Sequence, residues 1–136
     1  MQTFLPYPDF VQSARVLDRQ RLGKQRVETL QLLNALTGRS KGWTNHPAAR
    51  MWRGHELYLA SYGIVMCQEW IDRGYKDTCL DKIAAFTLYP ITDEPAWLGD
   101  PALHASHRSN LLRKAPEYYS QFNWSEPDDM DYVWPV

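Results

Sequence analysis

The chain has only two cysteines in 136 residues, Cys67 and Cys79, and no CxxC pair. That excludes a disulfide scaffold and a cysteine zinc site, and it points to reduced thiols in an intracellular setting. Seven glycines stand singly, with no glycine-rich phosphate loop and no dinucleotide fingerprint among them. Four histidines (His46, His55, His104, His107) have neither an HExxH motif nor a cysteine cluster beside them, so no metal is expected. No nucleophile elbow accompanies a serine, so a Ser/His/Asp triad has no motif behind it. There is no signal peptide, no transmembrane run, no internal repeat and no convincing alternating strand. The fold is therefore read as all-α: a compact single-domain helical bundle over residues 1–136, of a length able to bury roughly two-thirds of its unfolded surface.

Net charge is nearly absent too, at −1, but its distribution is uneven. Residues 1–60 carry nine Lys/Arg against four acids, leaving +5, whereas residues 61–136 carry six against twelve, leaving −6. Phosphate binding depends on the local field rather than the total, so this asymmetry permits a basic groove. Eighteen aromatics, six of them Trp, exceed what so small a core usually needs and leave some for stacking.

The segment from Leu17 to Glu28 is the most informative. Five cations (Arg15, Arg19, Arg21, Lys24, Arg26) fall within twelve residues, and the carboxylate of Glu28 follows. On a helix, Arg21, Lys24, Gln25, Glu28 and Gln31 form one stripe, opposite Leu22, Thr29, Leu30, Leu33 and Leu36. One reading is a solvated helix face with a routine Lys24–Glu28 pair. The other is an acid held on a basic face, suited to gripping an anionic polymer and moving protons on it. Arg26 falls on the apolar side, where a guanidinium must snorkel, meet a carboxylate or line a cleft.

Along the chain, an extended opening with Pro6 and Pro8 leads into a helix near Asp9 or Gln12, and one helix or a broken pair runs to about Thr37, stopped by Gly38. A loop over 39–46 precedes Pro47 in the first turn of the next helix, capped by Asn45 or His46. That second helix is expected to run unbroken from about Pro47 to Arg73, apolar nearly all round and hence central. A short helix near Asp81–Leu88, a loop with Pro90, Pro95 and Gly99, and a helix from Pro101 to Lys114 follow. The acidic, aromatic tail is expected to wrap the core. Trp52 is assigned to core packing more readily than to stacking.

Two further groups offer contacts to phosphates. Ser106-His107-Arg108-Ser109-Asn110 clusters short donors with a cation, though it serves equally as an ordinary helix surface. Gly42-Trp43-Thr44-Asn45-His46-Pro47 sets an aromatic and polar groups at a helix start, where an anion or an ordinary cap fits.

Taken together, MQTFLPYPDF, LDRQRLGKQRVETL, GWTNHPAARMW, RGYKD, and SHRSNLLRK with PEYY after it resemble the pyrimidine dimer DNA glycosylase/AP lyase family, the phage T4 endonuclease V-like enzymes, in its bacterial and phage branch. The resemblance implies a cofactor-free, all-α enzyme acting on damaged double-stranded DNA inside a bacterial or phage-infected cell, without membrane or obligate protein partners. It also implies a mechanism: a terminal amine attacks the sugar C1′, a glutamate assists, an imine forms, and β-elimination breaks the strand. Glu28 matches that glutamate. Met1 supplies the amine, because Gln2 is too bulky for efficient removal of the initiator residue; otherwise the lyase step is absent. Arg19, Arg21, Lys24, Gln25 and Arg26 fall where the family contacts DNA, and Trp43, Asn45, His46, His107, Arg108 and Asn110 are added from the two groups above. An α-amine titrates near about 7.7–8, so a usable fraction is neutral at pH 7. The rivals are a binding module using the same cations without catalysis, and the same scaffold turned to a different base.

Overall fold

The computed structural model describes residues 1–88 and 93–136. It is all-helical, with no strand among the described residues. In chain order the helices are α1 (Phe10–Val16), α2 (Arg19–Leu36), α3 (Pro47–Trp52), α4 (Glu56–Asp72), α5 (Leu80–Ala84), α6 (Pro101–Lys114) and α7 (Pro116–Tyr119). One 3-10 turn follows α5 and another follows α7.

The first helical stretch is a broken pair. Leu17 leaves α1 in an extended conformation, and Asp18 restarts the chain as the N-cap of α2, accepting from the Arg21 N–H. At its far end α2 gives way to Gly38 in a left-handed conformation. Pro47 opens α3, and His46 caps it by accepting the Ala48 N–H.

The unbroken helix expected over Pro47–Arg73 is instead two. Gly54 adopts φ +86° between α3 and α4, where a Cβ would be strained, and the helical ladder stops. The break swings α3 against the N-terminal segment while α4 continues alone. α4 is central as expected, packing along α2 and also against α1 and α5. Gly63 makes that approach possible, since a Cβ there would lie 2.5 Å from Thr29 Cγ2.

Core side chains come from every helix from α1 to α7, among them Leu22, Leu33, Trp52, Tyr62, Ile83, Leu111 and Tyr119. Trp52 is fully buried, and its Nε1–H donates to Thr3 Oγ1 at 3.0 Å, which settles its packing role. Cys67 and Cys79 are both buried free thiols. Pro90 of the expected loop lies outside the described residues. The tail runs back across α6, with Met130 N–H donating to Ser109 Oγ and Val133 N–H to Ser106 Oγ. No helix among the described residues is long and apolar enough to cross a membrane.

Candidate active site at the chain start

The first five residues are irregular, and residues 2–5 are buried, so their backbone groups need side-chain partners. Each of three neighbouring helices supplies some. Gln25 of α2 accepts the Phe4 N–H at 3.0 Å, and His107 of α6 accepts the Leu5 N–H at 2.8 Å. The Leu5 carbonyl pairs with His104 Nδ1 at 2.7 Å, and Tyr62 of α4 holds the Phe4 carbonyl at 2.9 Å. The segment is thereby laid along α2 with its end beside Glu28, whose Oε2 accepts the Gln2 N–H at 3.4 Å.

Beside it lies an open cleft of about 270 Å³, walled by Met1, Gln2 and Phe4, by Gln20, Arg21, Lys24, Gln25 and Glu28 of α2, and by Lys114 and Tyr132. Three cationic side chains and one carboxylate, Glu28, thus line the cleft beside Met1. The two ends of the chain meet here. Tyr132 packs its ring against Phe4 and His107, and Trp134 lies edge-on to His46. Burial holds the Tyr132 phenol above its ordinary value; Arg113 and Arg21 oppose that and Glu28 adds to it. His46 titrates below the usual histidine range because it is partly buried and because it feels the charge of the chain's N-terminus.

Of the residues singled out in the sequence, Met1, Arg21, Lys24, Gln25 and Glu28 come together in this cleft. Arg21 is tied to its own cap, with Nη1 3.2 Å from Asp18 Oδ2, while Lys24 is exposed. Arg19 lies outside the cleft, its guanidinium 5.5 Å from the Tyr75 ring centre. Trp43 is 48% exposed and Asn45 is exposed, at the edge of the loop before α3. His46 is occupied as a cap.

For five residues the expectation needs correction. Gln25, placed on the solvated stripe, is only 2% exposed, because the N-terminal segment covers it. Arg26 turns away from the cleft: it pairs with Asp77 and stacks 4.4 Å over Trp70. His107 and Asn110 are fully buried and offer no surface to DNA. Asn110 Nδ2 donates to the Ser106 and Met130 carbonyls, at 2.8 and 3.0 Å. Arg108 is held by both Glu126 oxygens, at 2.8 and 3.1 Å, and donates to the Pro6 carbonyl at 2.6 Å. The α6 group is therefore a clamp on the two chain ends rather than a phosphate site. Gln20 of α2, Lys114 and Tyr132 were not foreseen as site residues, and nothing in the spacing of α6 or the tail marks the last two.

Among the described residues no group of three or more His, Cys, Asp or Glu side chains is placed to hold a metal ion. An acid and an amine in a cationic cleft can instead supply nucleophilic and proton-transfer chemistry on a polyanion. A family profile described as pyrimidine dimer DNA glycosylase matches residues 1–83, and the chain belongs to that family of DNA glycosylases, whose substrate is DNA. No curated protein and no solved structure matches the chain. The matched range contains Met1, Gln25 and Glu28, while Lys114 and Tyr132 on the opposite wall lie beyond it.

Proposed function

We propose that this protein excises a damaged or modified pyrimidine, the pyrimidine dimer first, from duplex DNA and then cuts the strand as an AP lyase, using the Met1 α-amine and Glu28. The observation that carries the reading is the Gln2 N–H to Glu28 Oε2 contact at 3.4 Å, which sets the carboxylate one peptide unit from the terminal nitrogen, with both residues on one cleft.

The chemistry needs no cofactor. The neutral amine forms a bond to C1′ as the glycosidic bond breaks and the base departs with its electron pair and a proton. The Glu28 carboxylate stabilises positive charge developing on the sugar. Ring opening gives an imine between the terminal nitrogen and C1′. Loss of a C2′ proton to the carboxylate then expels the 3′ phosphate by β-elimination. Reaching C1′ requires the nucleotide to leave the stack, which costs a few kcal/mol and least at a distorted lesion. Lys24 and Lys114, exposed on either side, suit the flanking phosphates.

The test is reduction with borohydride in the presence of abasic-site duplex DNA, followed by intact-mass and peptide mapping. The reading expects an adduct on the N-terminal peptide, and Glu28→Gln should abolish strand cleavage. An adduct confined to a lysine side chain, or no adduct, overturns the amine assignment. Full DNA binding with no excision and no strand cleavage by the parent protein would leave a binding module.

A further inference from the structure

We infer that Gln25 is a positioning residue for the Glu28 carboxylate, fixing which of its two oxygens faces the substrate; this rests on the role proposed for Glu28. Gln25 lies one turn before Glu28 on α2, on the same face. A glutamine on a cationic stripe ordinarily points to water, yet this one is 98% buried and held at both ends of its amide. Its Oε1 accepts the Phe4 N–H at 3.0 Å and lies 2.6 Å from the Tyr62 hydroxyl.

Those two contacts decide the orientation of the amide. The Phe4 N–H can only donate, so the atom facing it must be the carbonyl oxygen. At 2.6 Å, that oxygen and the Tyr62 oxygen need a proton between them, and Tyr62 has one to give. The phenol therefore donates to Gln25, with the Phe4 carbonyl at 2.9 Å as at most a shared acceptor. The amide NH₂ is left no choice but to face Glu28, where Nε2 lies 3.5 Å from Oε2.

Glu28 Oε2 is thus flanked by two N–H groups, from Gln25 and from Gln2. Both contacts are long, as catalytic hydrogen bonds commonly are before substrate closes the site. With Oε2 so occupied, Oε1 is the oxygen free to meet the sugar and take its proton. A buried amide satisfied on one side by a fold contact and on the other by the acid couples the core of α4 to the chemistry.

The experiment compares Gln25→Met and Tyr62→Phe with the parent protein on duplex DNA carrying one abasic site, in single-turnover reactions at saturating enzyme. Affinity is read separately with a tetrahydrofuran abasic analogue. Glu28 faces Arg21 and Lys24 from its own helix, Lys114 from α6, Tyr62 from α4, Tyr132 from the tail and the Met1 amine. None of those groups is removed in Gln25→Met. Its cleavage rate is expected to fall at least about tenfold, a barrier increase of about 1.4 kcal/mol. Affinity should stay within about threefold. The acid limb of the pH–rate profile should move to higher pH, because a carboxylate that loses an N–H donor protonates more readily. Tyr62→Phe should shift the limb the same way by less, and it decides alone if Gln25→Met does not fold. Parent-like rates and acid limbs in the variants overturn the inference, as does loss of affinity in step with loss of rate. Glu28→Gln, run alongside, separates the cases. If it cleaves normally, the proposed role of Glu28 falls; if it is inactive while the other two match the parent, only the positioning role falls.

Discussion

Arg26 and Asp77, 51 residues apart in the chain, form an ion pair almost sealed from water, with 12% and 3% of their side chains exposed. Asp77 also accepts the Cys79 and Leu80 N–H groups, at 3.1 and 2.7 Å, and so starts α5. The guanidinium lies over the Trp70 ring of α4. One carboxylate thereby joins α2, α4 and α5. Removing it leaves a buried cation and two backbone donors unpaired, so Asp77→Ala should destabilise the protein by about 3 kcal/mol, measured by urea unfolding. Arg26→Met should cost less than Asp77→Ala, and the double variant Arg26→Met/Asp77→Ala less than the sum of the two. Additive losses would mean that the pair is not coupled.

Acid should weaken the fold in two overlapping windows. His107 is fully buried and neutral, with burial pushing it down to about 3; His104 and Arg108 push the same way. Burial also lowers His104. Between about pH 6.5 and pH 3 the unfolded chain takes up protons that the folded one refuses, so stability falls as pH falls. For His107 alone the full loss is of the order of 5 kcal/mol. Burial would raise the Asp77 carboxyl, but the Leu80 N–H, Arg26 and the Cys67 thiol outweigh it and bring it below the usual value. Its contribution is present above about pH 4 and disappears below that, as pH falls through the folded-state value. Unfolding curves from pH 7 to pH 4 should show the histidine slope, and His107→Gln should flatten it even if it is less stable at pH 7. An unchanged slope in that variant would place the sensitivity elsewhere.

Cations should differ sharply in their effect on DNA affinity. Lys24 and Lys114 are exposed and line the cleft, whereas Arg108 is occupied by Glu126 and the Pro6 carbonyl. Lys24→Ala and Lys114→Ala should each reduce the slope of log affinity against log salt by about one. Arg108→Met should leave that slope unchanged while lowering thermal stability. Equal slopes for all three would sever the link between cleft and DNA.

The α2–α4 contact should reject a single methyl group. An alanine at Gly63 would gain helix propensity but press its Cβ against Thr29 Cγ2, so Gly63→Ala should destabilise by about 1–3 kcal/mol. Adding Thr29→Ser removes the opposing methyl and should recover part of the loss. A Gly63→Ala protein as stable as the parent would show that the helices can separate freely.

Periodicity made the outlines of this fold readable. Asp9, Pro47 and Pro101 start helices where cap chemistry says they should, and α6 has the boundaries expected from its pattern. The break at Gly54 was hidden because Trp52, Leu57, Leu59 and Ala60 continue an apolar pattern straight across it. Glu28 was legible as an acid among cations, and Arg26 as a cation on the apolar side needing a partner. What spacing could not reveal was the demand made by irregular backbone. Gln25, His107, Ser109 and Asn110 read as surface residues because they are polar, yet they are buried to serve N–H and C=O groups of residues 4–5 and 130. A sequence pattern records the hydrophobic face of a helix, but not which extended segment will lie across its polar face.

Because α6 grips Leu5 with two histidines and the tail with two serines and an asparagine, a single rod of the structure fastens both loose ends of the polypeptide. Fraying that rod would release the front and the rear of the cleft in one event. Amide exchange along the first five residues and the last seven should then report a shared opening rather than two independent ones.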